Sequence, residues 1–191
     1  MTAEAIPMAP ASRFWDKIAE KYARQPVADE AAYQKKLEVT REYFNPEMEV
    51  VELGCGTGST AIAHAPYVRR IRAYDISPKM IDIAKGKAQD AAIDNVEFEV
   101  AGLEELTLPD GSADAVLALS LLHLVEDRDA AIARVRRVLK PGGVFITNTA
   151  CIGDTMPYFR LIGPIGRALG IMPLVKVFTQ KDLVRSFEDG G

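Results

Sequence analysis

One short stretch constrains this chain more than any other. Val50-Val51-Glu52-Leu53-Gly54-Cys55-Gly56-Thr57-Gly58 carries an apolar strand into a run of alternating glycines, and Ser59 to Ala65 follows with helical spacing before Pro66. Glycine permits a tight turn there and lets backbone approach a ligand closely. The helix that follows opens with backbone N–H groups lacking intrahelical partners. A nicotinamide fingerprint would space its glycines G-x-G-x-x-G. Here Gly58 comes one residue early and Ser59 stands in the final place, which argues against a dinucleotide and its pyrophosphate. The same turn also fits a strand–helix junction with no ligand.

The surrounding pattern sets the fold class. Met48 to Leu53, Arg69 to Tyr74, Val96 to Val100, Ala113 to Leu119 and Val144 to Thr149 read as strands. Ala113 to Leu119 is almost continuously apolar, as expected of a strand buried on both faces. Helices are expected over Ser59 to Ala65, from a Ser77-Pro78 start to about Ile93, and over Arg128 to Leu139. Lys140-Pro141-Gly142-Gly143 is expected to stop the last of these as a turn. Strands alternating with helices imply an α/β, doubly wound, mostly parallel sheet with helices on both faces. Two N-terminal helices precede it. One starts at Ser12 as cap, runs through Tyr22 and ends at Pro26; the other spans Asp29 to Phe44. Three segments result: residues 1–46 as tail and helical cap, 47–150 as the core, and 151–191 as an apolar segment with a last helix, forming one compact unit of 191 residues. Thr179 and Asp182 form a capping-box pair at that helix.

Bulk properties exclude other classes. Hydrophobic residues are 48% and charged residues 26% of the chain, ordinary for a globular domain, and the net charge of -4 argues against a nucleic-acid partner. Cys55 and Cys151 have no metal-ligand spacing, so no metal is expected. Met1 to Ala11 reads as a mobile tail without signal-peptide character, and a cytoplasmic location is expected. Leu161 to Phe178 is the most apolar stretch, interrupted by Pro164, Arg167, Pro173 and Lys176. It fits a lid or pocket wall for a hydrophobic acceptor, a patch in peripheral contact with a membrane, or simple core packing.

Asp75 closes the second strand, about 20 residues beyond the glycine turn, where an acid can accept ribose hydroxyl hydrogen bonds. With the strand–glycine turn it resembles the seed of the class I S-adenosylmethionine-dependent methyltransferases. Arg136-Arg137-Val138-Leu139-Lys140-Pro141-Gly142-Gly143 resembles that family's turn before the fifth strand. Leu106 to Asp114 resembles its approach to the fourth strand, and Leu121-Leu122-His123-Leu124 the stretch after it. The resemblance runs from about Phe14 to Glu188 and is closest to the small-molecule group of types 11 and 25, which includes quinone- and lipid-methylating enzymes.

The resemblance implies S-adenosylmethionine as cofactor, S-adenosylhomocysteine as product and a small-molecule acceptor. It implies that Glu52 contacts the methionyl amino group and that Gly54, Cys55, Gly56 and Gly58 line the methionyl and ribose portion. Asp75 would hold the ribose, and Ile76 and Met80 would pack near the adenine. Gly102 and Leu103 would flank the adenine edge, Leu119 and Ser120 would face the methionyl side, and Tyr22 would close over the cofactor. Many relatives carry Asp at the position of Gly102. The family sheet usually gains a final antiparallel strand pair that this sequence lacks. These two departures motivate an alternative, a non-catalytic cofactor-binding sensor or partner subunit. Catalytic residues are not fixed by the sequence. His123, near the carboxyl end of a strand, is a candidate base, or packs locally. His64 is expected at the surface, and Cys151 faces an acceptor or packs as a thiol. Oligomeric state is left open.

Overall fold

The computed structural model describes residues 10–190. Five strands form one sheet: β1 (Glu49–Leu53), β2 (Arg70–Asp75), β3 (Val96–Val100), β4 (Ala113–Leu119) and β5 (Leu139–Asn148), in the order β3-β2-β1-β4-β5. Every pairing is parallel. Strand order reverses between β1 and β4, so the crevice beyond their carboxyl ends is the place where such sheets take ligands. No strand follows Asn148 among the described residues.

Each face of the sheet has its own core, because successive strand residues point to opposite sides. Val50, Ile71, Ala73, Phe98, Ala115 and Leu117 pack with Ala61, Ile81 and Ala84. Those last three come from α3 (Ser59–His64) and α4 (Pro78–Asp90). Val51, Leu53, Tyr74 and Val116 pack on the other face with Val135 and Val138 of α5 (Arg128–Val138). Small residues at Ala73, Ala84 and Ala115 let α4 lie close to the strands. The start of α4 follows the expected pattern: Ser77 Oγ accepts from Met80 N at 3.1 Å, with Pro78 in the first turn.

Helix α1 (Pro10–Arg24) starts before Ser12. Ser12 is therefore not its cap but sits inside the first turn, 1% exposed. The expected tail before Pro10 lies outside the described residues. Helix α2 (Glu30–Arg41) is capped by Asp29, whose carboxylate accepts from Ala32 N, and it ends at Arg41 rather than Phe44. Pro66 does not end the third helix outright. The chain tightens into a 3-10 turn over Ala65–Tyr67, where a proline near the start is tolerated. Helix α4 stops at Asp90, short of Ile93.

The segment Lys140 to Gly143 departs further from expectation. It belongs to β5, and the ladder slips across it, pairing Ala113 with Leu139 and Ala115 with Val144. The extra residues bulge from the edge, with Gly142 at φ +79°.

After β5 the chain forms α6 (Ile152–Thr155), α7 (Phe159–Ala168) and α8 (Gln180–Gly190). Thr179 and Asp182 form the expected reciprocal cap: Thr179 N donates to Asp182 Oδ2 at 2.9 Å, and Asp182 N donates to Thr179 Oγ1 at 3.1 Å. Helix α8 docks beside α5, where Arg128 Nε donates to Ser186 Oγ at 2.9 Å, and Phe187 meets Phe145 of β5.

Candidate functional site

The glycine turn leaves β1 with Gly54, Gly56 and Gly58 all at positive φ, +67°, +54° and +75°. Each faces a different neighbour. A side chain at Gly54 would strike Leu121 Cδ1 at 2.8 Å. One at Gly58 would strike Ala84 and Phe98 at 2.7–2.8 Å, so close helix–sheet packing demands that glycine. At Gly56 only Tyr22 Cε1 lies within reach, at 3.9 Å. Gly56 therefore faces open space with Tyr22 across it, while Gly58 is part of the core.

Asp75 ties the turn to β2. Its Oδ2 accepts from Gly56 N and its Oδ1 from Ser77 N, both at 2.9 Å. Cys55 N donates to Tyr74 O at 2.9 Å, and the Cys55 side chain is buried. Burial raises the Asp75 pKa, while those two N–H groups oppose the rise. One carboxylate thus fixes both the turn and the start of α4. Asp16 of α1 reaches the same corner, accepting from Ser77 Oγ at 2.6 Å and Lys79 N at 3.2 Å. That anchor sets α1 against α4 and carries Tyr22 to its place opposite Gly56. Nothing in the sequence singles out Asp16.

Glu52, at the carboxyl end of β1, is 3% exposed. Its Oε2 is buried without a hydrogen-bond partner. Burial pushes its pKa up to about 8, with Lys36 of α2 pulling down and Asp75 adding to the rise. Lys36 is a charge partner that the sequence does not mark, because α2 is remote along the chain and its spacing reads only as a helix. An isolated buried carboxylate is costly. One with an unpartnered oxygen is chemically suited to a cationic group such as an ammonium.

Ile76 Cγ2 and Glu105 Oε2 stand 3.4 and 3.6 Å from where a Gly102 side chain would begin. Leu103, adjacent in sequence, turns into the opposite core with Val51, Leu53 and Val116, and its carbonyl accepts from Arg134. Met80 is 2% exposed. Its side chain is core, close to the corner only through its helix.

At the end of β4, Leu119 is buried and Ser120 takes φ +57°, uncommon for a residue with a side chain. Asn148 holds it there. The Ser120 N–H bonds both the Asn148 carbonyl oxygen at 2.8 Å and Oδ1 at 3.0 Å, and Ser120 Oγ lies 3.2 Å from Oδ1. The sequence gives no sign of this pairing.

Beyond the strand ends, residues 151–178 form an arch. Gly153 N donates to Phe178 O at 2.9 Å and Lys176 N to His123 O at 2.8 Å, closing its base. A side chain at Gly153 would overlap the Phe178 carbonyl at 2.7 Å. Helix α7 in the arch turns Gly163 and Gly166 inward and leaves Leu161, Ile162, Ile165 and Leu169 exposed. Core packing of Leu161 to Leu169 is thereby overturned, since the large side chains face outward. Cys151, half-buried, starts the arch. His64 also departs from expectation. It is fully buried against Phe44, both ring nitrogens lack partners, and burial lowers its pKa to about 4.

A parallel sheet with a glycine turn at its switch point, an acid closing β2 and a buried acid near the end of β1 is the arrangement in which open α/β sheets take ligands beyond their strand ends. Residues 51–147 match the methyltransferase domain family of type 11. The chain belongs to that family, within the class I S-adenosylmethionine-dependent methyltransferases. It is 35% identical over 100 residues to YcgJ, an uncharacterised methyltransferase of Bacillus subtilis, covering 52% of this chain and 40% of that protein. It is 40% identical over 96 residues to the 27-O-demethylrifamycin SV methyltransferase of Amycolatopsis mediterranei, covering 49% and 35%. It is 34% identical over 113 residues to the ubiquinone/menaquinone biosynthesis C-methyltransferase UbiE of Shewanella piezotolerans, covering 57% and 45%. The matched part thus spans less than half the length of each of these relatives. The crystal structure of the Bacillus YcgJ protein superposes with a TM-score of 0.70 at 25% identity, covering 82% of this chain and 68% of that one. No helix among the described residues is long and apolar enough to cross a membrane.

Proposed function

We propose that this chain methylates a small apolar acceptor, using S-adenosylmethionine held at the carboxyl ends of β1 and β2. The observation that carries this reading is Glu52: a buried carboxyl group with an unpartnered oxygen, on the strand that leads straight into the glycine turn. That pairing suits a ligand with an ammonium at one end and a nucleoside at the other. Glu52 takes the ammonium; Gly54, Cys55 and Gly56 present backbone to the methionyl and ribose portion; Asp75 accepts from the ribose. Ile76 and Gly102 form the adenine corner, with Leu103 contributing backbone and Met80 lying behind it in the core, while Leu119 and Ser120 bound the methionyl side and Tyr22 covers it.

The cofactor supplies an electrophilic methyl group already activated by its sulfonium. The protein therefore has to orient the acceptor and exclude water, and orientation of this kind can supply roughly 7–11 kcal/mol. The arch is placed to do both, since it follows β5 and its base closes on the loop after β4. Relatives named for a demethylrifamycin and for ubiquinone/menaquinone biosynthesis support an apolar small-molecule acceptor. Calorimetry with S-adenosylmethionine, S-adenosylhomocysteine and NADH tests the reading. Micromolar binding of the first two and none of the third is expected; binding of NADH alone would overturn it.

A further inference from the structure

The methyl donor uses the ends of three neighbouring strands and leaves the next one unspent. Asp75 ends β2, Glu52 lies next to last in β1, and Leu119 ends β4. A ligand laid over those ends runs from nucleoside to methionyl group. One strand spacing further, about 4.8 Å, Leu119 is paired with Asn148, which ends β5. A molecule that receives the methyl group from the β4 side therefore meets Asn148 next.

Asn148 is exposed, yet its amide is held in one orientation. Ser120 N donates to its Oδ1 at 3.0 Å, and Ser120 Oγ donates to the same atom at 3.2 Å. A backbone N–H can only donate, so the amide oxygen faces Ser120 and the amide nitrogen faces away. Nδ2 keeps two donors with no partner among the described residues. The hydroxyls on either side are spent: Thr147 Oγ1 donates to Ala118 O at 2.8 Å, and Thr149 Oγ1 lies 2.9 Å from His123 Nδ1. Ser120 makes its two bonds at φ +57°. Such backbone persists where its surroundings over-determine it, and it clusters at ligand sites. Glycine would make the same turn without strain, but would leave Asn148 one hydrogen bond short.

Resting on the methyltransferase reading, we propose that Asn148 determines acceptor specificity: its Nδ2 takes the carbonyl oxygen of an otherwise apolar small molecule. A free amide N–H₂ recognises a lone pair and has nothing to offer an ammonium. Apolar neighbours surround it, with Leu119 at the end of β4 and Leu121 lying over Gly54. One donor in such a setting fixes how an apolar ring system is turned toward the methyl group. It also rejects an isosteric molecule without the oxygen, because the amide would then stay unpaired.

The test uses the full chain saturated with S-adenosylhomocysteine and three bicyclic probes of one shape: tetralin, α-tetralone and α-aminotetralin. Asn148→Asp keeps an oxygen toward Ser120 and exchanges the two donors for a negative charge. It should bind S-adenosylhomocysteine as the wild type does. The preference for α-tetralone over tetralin should fall about tenfold from wild type to variant, as one lost hydrogen bond with added repulsion requires. The variant should bind α-aminotetralin more tightly than the wild type does. In proton–nitrogen NMR of the wild type, α-tetralone should move the Asn148 side-chain N–H₂ signals further than tetralin does. An unchanged tetralone preference in Asn148→Asp, equal signal movement with both probes, or a wild type that binds none of the three would each overturn the proposal. Loss of S-adenosylhomocysteine affinity in the variant would overturn it too, by placing Asn148 in the donor cradle. Failure of the wild type to bind S-adenosylhomocysteine would instead remove the methyltransferase reading beneath it.

Discussion

At the ends of β1 and β2, one group after another is held by more than one contact. Asp75 takes two backbone N–H groups, Gly58 is pressed between Ala84 and Phe98, and Asp16 bonds both Ser77 and Lys79. Beyond β5 the arch is held at its feet and bare along its top, with Leu161 77% exposed and Ile165 61% exposed. The first region is fixed before a ligand arrives, as recognition of one invariant molecule requires. The second makes few contacts with itself, which leaves its lining free to vary with the acceptor.

The sharpest way to break this comparison is within the glycine turn. Gly58→Val should destabilise the protein by about 3 kcal/mol or more, since it adds left-handed strain to overpacking. Gly56→Val should fold with strain alone and lose cofactor binding. Denaturant unfolding beside calorimetry separates the two outcomes, and equal stability of both variants would show that Gly58 is not packed as described. Asp75→Ala should weaken S-adenosylmethionine binding by at least about 1.5 kcal/mol through lost charge-assisted hydrogen bonds. Unchanged affinity in the folded variant would take Asp75 out of the site.

Glu52 gives a pH signature. Its folded pKa of about 8 stands above the ordinary value of 4.5. The folded state therefore holds that proton more tightly than the unfolded chain. The Glu52 contribution to stability is fully present at low pH and is lost as pH rises from about 4.5 through about 8. A ligand ammonium should flatten the slope, and Glu52→Gln should remove it. Melting temperatures against pH, with and without S-adenosylmethionine, check both. The smallest effect belongs to the arch. Leu161→Ser should change stability by less than about 0.5 kcal/mol, as exposed positions do, whereas Leu117→Ala in β4 should cost roughly 2–5 kcal/mol.

The same contrast explains how much of the fold and site is legible in the sequence. Strand β4 announces itself through a run of apolar residues broken only at Asp114, and the glycine turn and Asp75 are local signals whose spacing reflects one supersecondary unit. Asp16, Lys36, Thr149 and Asn148 act across the fold, from elements distant in sequence, and carry no local mark. His64 misleads for a related reason: a histidine beside Pro66 reads as a helix end at the surface, but Phe44 and α2 close over it. The Lys140–Gly143 segment reads as a turn because Pro and Gly usually make one. The sheet edge instead absorbs it as a bulge, where a proline's missing N–H leaves no ladder bond unmade.

The clasp between Gly153 and Phe178 makes the arch a module. Its two feet meet through a backbone hydrogen bond, and the span between them touches the loop after β4 through Lys176 and Arg167, so the stretch before Arg167 is a loop whose length the sheet senses little. Doubling such a loop costs only about 0.6 kcal/mol of closure entropy. Acceptor preference could thus be exchanged by grafting a different span into that stretch, leaving the methyl-donor half unaltered.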